Sequence, residues 1–238
     1  EQRGTSIFPD FSDLKGQAAV KRALEIAAAG SHHVFLFGPP GSGKTMAAQR
    51  FPGILPPLER EESIAVTKIY SLAGKLPKHG GLIADPPFRN PHHSASTEGL
   101  IGGGKPIVPG EISLAHNGVL FLDEAPEFHK NILQSLREPI ERGRVDIARA
   151  GSTFWFPARF QLLLAANPCP CGNLGKDDAV CICSLAEIRR YWRRLGGALL
   201  DRIDIRIPVK PVDPDIIIND EPESSEMVRQ RVRDAVQI

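Results

Sequence analysis

The 238-residue sequence has no run approaching the ~20 consecutive apolar residues of a membrane-spanning helix, and its first residues carry no basic-then-apolar leader pattern. Both absences argue against a membrane or a secretory route, and the chain is expected to be cytoplasmic. Nor is there an excess of charge. Lys and Arg total 29 against 28 Asp and Glu, a formal net charge of +1, so the surface as a whole is no polyanion-binding field and any nucleic-acid contact must be local. Cysteine is sparse at four residues, and a chain of this length need not borrow stability from disulfides or metal. No internal repeat is found. With 42% hydrophobic and 24% charged residues, the composition excludes disordered, collagen-like and coiled-coil classes and leaves one large α/β domain as the expected architecture. The 22 glycines and 21 prolines predict long ordered loops. The chain starts at Glu1 rather than Met and stops inside an amphipathic pattern, which suggests a segment of a longer protein.

Hydrophobic periodicity sets the expected elements. Apolar and small residues recur at helical spacing over Gln17 to Ala29, with Gly30 at the expected left-handed C-cap. Val34 to Phe37, Gly118 to Leu122 and Leu162 to Ala165 are short apolar runs of the kind that form buried parallel strands. Residues 76 to 110 hold six prolines and the stretch Gly102-Gly103-Gly104, and read as an insertion of loops and short elements. Ile132, Leu133, Leu136 and Ile140 predict one helix over Asn131 to Glu141. Gly143 to Pro157, with Gly151 at its centre, reads as a β-hairpin. A basic helix over Ala186 to Leu195, a half-buried strand over Ile203 to Ile207 and a helix from Ser225 to Val236 complete the pattern.

Three strand ends carry the chemistry. Gly38-Pro39-Pro40-Gly41-Ser42-Gly43-Lys44-Thr45 matches G-x-x-x-x-G-K-[ST] between a strand and a helix, so the loop from Gly38 through Met46, with the N–H groups of its non-proline residues, is expected to cradle the phosphates of ATP. Lys44 would reach the outer phosphates, and the Thr45 hydroxyl would ligate Mg²⁺. The second run ends in Asp123-Glu124, where Asp123 would hold the Mg²⁺ shell and Glu124 would polarise the attacking water. The third ends in Asn167, a neutral amide able to hydrogen-bond the γ-phosphate or the water without adding negative charge.

Cys169-Pro-Cys171 and Cys181-Ile-Cys183 form two C-x-C pairs. Four thiolates suit tetrahedral Zn²⁺, although the one-residue spacing is tighter than usual; reduced thiols and a redox switch stay open beside zinc. Positive charge concentrates over residues 142 to 206, with eleven Lys and Arg against six acids. There Arg149 near the hairpin bend, together with Lys105 in the insertion, are the candidate DNA contacts. Phe154 and Phe156 on the returning arm are expected in the core. The adjacent His92 and His93 are expected to diverge and to serve structural or subunit contacts rather than bind metal.

The order of these elements resembles the AAA+ ATPases of the helix-2-insert group, which holds magnesium-chelatase ATPase subunits, MCM helicases and the ComM (YifB) proteins. The resemblance covers nearly the whole chain. It rests on Asp13-Leu14-Lys15-Gly16-Gln17, Pro91-His92-His93-Ser94-Ala95-Ser96, Gly99 to Lys105, Gly118 to Glu124, Asn167-Pro168-Cys169-Pro170-Cys171-Gly172 and Leu199 to Asp204. The Cys-Pro-Cys-Gly and His-His-Ser signatures are most similar to ComM. The resemblance implies a doubly wound parallel P-loop core over residues 1–212, with an insertion about 68–115, a pre-sensor hairpin about 143–158 and a cysteine loop over 169–183. Residues 213–238 would be a linker and the start of a helical lid. It further implies a homo-oligomeric, hexameric ring that hydrolyses ATP to drive branch migration of DNA in recombination and natural transformation. Arg202 would be the arginine finger reaching a neighbour's γ-phosphate; an ion pair with the flanking Asp201 or Asp204 is its structural alternative. The competing functions are a chelatase-type ATPase driving metal insertion into a tetrapyrrole, and a non-enzymatic or chaperone-like module.

Overall fold

A computed structural model describes residues 8–77, 80–149, 152–176 and 179–237. The first half contains α1 (Ala18–Gly30), β1 (Val34–Phe37), α2 (Lys44–Arg50), α3 (Arg60–Leu72), β2 (Phe88–Arg89), α4 (Thr97–Ile101), β3 (Gly102–Gly103), β4 (Val108–Pro109), α5 (Glu111–Leu114) and β5 (Gly118–Leu122). There follow α6 (Lys130–Ser135), α7 (Arg137–Arg142), β6 (Arg144–Arg149), β7 (Ser152–Pro157) and β8 (Phe160–Ala166). The chain closes with α8 (Leu185–Arg193), α9 (Gly197–Leu200), β9 (Ile205–Pro208), α10 (Pro214–Asn219) and α11 (Ser225–Val236).

The central sheet has the order β2-β5-β8-β1-β9, and every neighbouring pair is parallel. A strand buried on both faces sends alternate side chains to opposite sides, and the core divides accordingly. Val34 and Leu36 of β1, Val119 and Phe121 of β5, and Leu163 and Ala165 of β8 meet α1, α2 and α11 on one face. Phe35, Leu120, Leu122, Leu162 and Leu164 meet α6, α9 and the start of β6 on the other. The expected insertion is less separate than its prolines suggest, since Phe88 and Arg89 within it pair with Val119 and Leu120 as the sheet's edge strand. The residues expected to begin a lid form α11, whose Val228 and Val232 enter the core beside α1.

Three local expectations are corrected. The single helix over Asn131 to Glu141 is two helices meeting at Leu136. Pro139 supplies no N–H and its ring collides with the carbonyl four residues back, that of Ser135, where α6 ends. Gly30 is the last residue of α1, and Ser31 takes the left-handed C-cap instead, at φ 54°. Phe154 is 45% exposed rather than in the core: it pairs with Ile147 on the hairpin face that Val145 turns into the core, but it stands toward the hairpin's tip, past the residues packed beneath that face. The expected central Gly151 of this hairpin lies outside the described residues.

His116, between α5 and β5, is buried and its Nδ1 accepts the backbone N–H of Arg159 at 3.0 Å. Burial, with the Arg159 charge adding to it, pulls its pKa down to about 4. The unfolded histidine takes a proton near pH 6.5, so the contribution to stability is fully present above that value and is lost as pH falls toward 4. Acidification from pH 7 to pH 4 should therefore cost the protein roughly 3 kcal/mol more than it costs a His116→Gln variant. Denaturant titrations at the two pH values decide this, and equal losses in both proteins would reject it.

Candidate active site

The three expected site motifs converge because β5, β8 and β1 are consecutive in the sheet and parallel, so their carboxyl ends share one edge. Phe37 stands opposite Ala166 and Leu122 opposite Leu164, so the phosphate loop, Asn167 and Asp123 begin within a residue or two of the same level. Gly38 N–H donates to the Ala166 carbonyl at 3.1 Å and anchors the loop at its root.

Within the loop, Gly41 and Gly43 have φ of 78° and 94°, and a Cβ at either would face open space. Their backbone therefore lines an uncovered cradle in a conformation that L side chains rarely adopt. Ser42 is 4% exposed, and among the described residues its buried hydroxyl has no hydrogen-bond partner. Lys44 is buried, and its ammonium donates to the carbonyls of Gly38 (2.7 Å) and Pro39 (2.8 Å) and to Asn167 Oδ1 (3.3 Å). Burial lowers its pKa, opposed by the charges of Asp123 and Glu124 and reinforced by Lys176. The Thr45 hydroxyl donates to Asp123 Oδ2 at 2.6 Å, so the two expected Mg²⁺ ligands already touch. A cradle with an orphan hydroxyl, a lysine and a hydroxyl–carboxylate pair fits a magnesium-bound polyphosphate. Met46 is exposed at the start of α2.

Glu124 is exposed and sits in the left-handed region at φ 51°, just where the chain leaves β5. Its Oε2 lies 3.8 Å from His93 Nδ1. The His92 and His93 rings do not diverge as expected. Their centroids are 4.0 Å apart, His92 bonds Ser94 and His93 packs edge-on to Phe128.

Several further contacts support the site. The Gln17 amide, just before α1, donates to the Ser42 carbonyl at 2.9 Å and to the Lys210 carbonyl at 2.6 Å, tying the phosphate loop to the segment after β9. Trp192 Nε1–H donates to the Pro168 carbonyl at 3.1 Å, directly behind Asn167. The neighbouring Tyr191 is buried, which pushes its phenol up to about 12, and the backbone of Asn167 faces its hydroxyl. Such contacts join residues far apart in sequence, and single residue types do not announce them.

Arg202, Arg149 and Lys105 lie away from this edge. Arg202 pairs with Glu141 of α7 and donates to the Ala198 carbonyl, so its ion-pair partner is neither flanking aspartate; Asp204 instead caps the His33 N–H at 2.7 Å. Arg149 is half-buried and donates to the Gly104 carbonyl, so it is not a free cation. That bond fastens the hairpin beside the turn bearing the exposed Lys105 and brings the two candidate DNA residues together. Trp155, on the open face of the hairpin, is 60% exposed. The sulfurs of Cys169, Cys171, Cys181 and Cys183 all lie within 4.8 Å of one another. The turn closed by Gly172 N–H on the Cys169 carbonyl puts Cys169 and Cys171 Sγ 3.4 Å apart, so one-residue spacing does not prevent convergence.

Among the described residues no helix is long and apolar enough to cross a membrane. Residues 10–217 match the family described as magnesium chelatase, subunit ChlI. The chain is 49% identical over 224 residues to an uncharacterized protein of Mycobacterium tuberculosis and 47% identical over 227 residues to competence protein ComM of Haemophilus influenzae. Each alignment takes in 94% of this chain and 44% of the relative, so the chain spans less than half the length of these relatives. The fold is also that of a chain in the complex between subunits BchI and BchD of magnesium chelatase, built on a cryo-EM reconstruction. There the TM-score is 0.61 at 22% identity, covering 98% of this chain and 73% of the other. The parallel sheet, its three converging strand ends and these matches agree: the chain belongs to the magnesium chelatase ChlI family of AAA+ ATPases.

Proposed function

We propose that this chain is the ATP-hydrolysing module of a ring-forming DNA motor similar to ComM. The observation that carries ATP hydrolysis is the assembly of Lys44, Thr45, Asp123, Glu124 and Asn167 at one sheet edge, with Thr45 and Asp123 already in contact. Magnesium-bound ATP supplies the phosphoryl group and its charge. Lys44 and the loop N–H groups bind it, Thr45 and Asp123 orient the metal, Glu124 takes the proton of the attacking water, and Asn167 holds that water or the γ-phosphate in line. This complete set argues against a non-enzymatic module. Arg202 completes the site of the next subunit in a hexamer.

DNA is the substrate favoured by the hairpin. Phe154 and, on the opposite face, Trp155 stand exposed on the hairpin, and Arg149 ties that hairpin to the turn bearing Lys105, so aromatic surface for stacking and a cation for phosphate belong to one region. Arg149 contributes by holding the two together and by its remaining charge. The 47% identity to a competence protein supports the same reading. The test is binding of single-stranded DNA by the ring-forming protein across a salt series. Trp155→Ala should weaken binding about tenfold, and Lys105→Ala should reduce the log–log salt slope by about one unit, with basal ATPase unchanged in both. Rings that form with ATP yet show no DNA binding at low salt would reject the DNA motor. The likeness to a magnesium chelatase subunit would then favour an ATPase that drives metal insertion into a tetrapyrrole through protein partners.

For the four cysteines the proposed occupant is one Zn²⁺. At Zn–S distances of about 2.3 Å the corners of a tetrahedron are about 3.8 Å apart. The Cys169–Cys181 and Cys171–Cys181 separations are both 3.7 Å, and the Leu174 N–H points at Cys169 Sγ at 3.4 Å, as outer-sphere donors to thiolates do.

A further inference from the structure

The cysteine loop shares its framework with the nucleotide site. Cys169 is fully buried and follows Asn167 by two residues at the end of β8. From there the chain crosses to the phosphate loop, where Gly172 lies so close that a Cβ on it would stand 2.7 Å from Pro40 Cγ. Gly172 has φ 77°, so the turn and the close approach both call for a residue without a side chain. Farther along, Lys176 is near enough to Lys44 to oppose its charge. The chain then returns to the capped start of α8 at Ser184, with Cys181 and Cys183 just ahead of it. Among the described residues of this loop there is no helix or strand, so backbone pairing does little to hold Gly172 on Pro40. What can hold it is a link between the first C-x-C pair, beside the phosphate loop, and the second, at the start of α8.

We infer that Zn²⁺ bound by Cys169, Cys171, Cys181 and Cys183 is a clamp that seats this loop on the phosphate loop, so that nucleotide affinity depends on the metal. The inference rests on the zinc reading above and adds coupling to it. With the sulfurs joined, the loop is ordered before nucleotide arrives, and Pro40, Asn167 and Lys176 are held in place. With the metal gone, the cost of ordering the loop falls on nucleotide binding. Because both ligands favour the same seated loop, thermodynamic reciprocity requires that nucleotide tighten zinc by the factor by which zinc tightens nucleotide.

The experiment uses protein purified without chelator. Zinc content is measured by mass spectrometry, Mg-ATP-analogue affinity with a fluorescent nucleotide, and apparent Zn²⁺ affinity by competition with a chromophoric chelator with and without saturating nucleotide. The expected results are one zinc per chain, none in Cys181→Ser/Cys183→Ser, and about tenfold weaker nucleotide binding in that variant. Nucleotide should tighten zinc in the unmodified protein by a similar factor. If the protein holds one zinc but nucleotide and metal affinities are independent, the clamp is overturned and the metal site stands. If the unmodified protein holds no zinc, both fall. Should the double variant fail to fold, the competition measurement on the unmodified protein decides the coupling alone.

Discussion

Replacing Glu124 with Gln should leave Mg-ATP bound within about threefold of its original affinity while turnover falls at least a hundredfold, on the scale by which general-base removal slows hydrolysis. The separation follows from the geometry. Lys44, Thr45 and Asp123 form a connected set through the Lys44–Asn167 and Thr45–Asp123 contacts, and the Glu124 side chain is in neither. Glu124 turns out of the strand in the left-handed region and presents its carboxylate beside His93, at the margin of the cradle. An amide of the same shape keeps that path but accepts no proton from water. Lys44→Ala should do the opposite, removing the charge and donors that meet the phosphates and weakening binding itself. Phosphate release and equilibrium nucleotide binding, measured on both variants, separate the roles. Equal loss of binding in the two would show that Glu124 helps hold the nucleotide.

The second large effect is expected at Arg202. In the single chain it is taken up by Glu141 and the Ala198 carbonyl, just ahead of β9 at the amino ends of the strands, whereas the phosphate loop leaves β1 at the carboxyl ends. An exposed pair of this kind contributes about 1 kcal/mol or less, so exchanging Glu141 for a neighbour's phosphate costs little. As an arginine finger its removal should lower ring turnover on the order of 10³-fold, with nucleotide binding nearly unchanged. Mixed rings distinguish this from a structural pair. Arg202→Ala subunits keep an intact site and Glu124→Gln subunits keep an intact finger, so their mixture should recover activity that neither has alone. A purely structural arginine predicts no recovery and a loss of stability that Glu141→Gln would reproduce.

How much was readable beforehand depended on the range of the interaction. The phosphate loop was legible because its glycines, lysine and threonine act within one turn of chain. The three buried strands were legible because sheets covered on both faces require continuous apolar runs. The break at Pro139 was also local and readable in principle, but the apolar face over Ile132 to Ile140 outweighed it. Phe154 misled for a different reason. An aromatic on a strand is buried only where the core extends beneath it, and how far the hairpin's tip reaches past that core is a property of the fold. Gln17, His93, Tyr191 and Trp192 meet their partners across 24 or more residues of chain, as from Trp192 to Pro168, and the sequence marks none of those meetings.

The strand order has a consequence for how the chain is made. β1 is complete by Phe37, yet its two neighbours are β8 and β9, paired through Val34 with Leu163 and through Val34 with Ile205. During synthesis its apolar residues therefore wait for most of the chain to leave the ribosome before either edge is covered. Pairings between residues this distant form slowly, and an uncovered apolar strand is open to other chains in the interval. Nascent fragments ending before Phe160 should need chaperones to stay soluble, and release from them should track the emergence of β8.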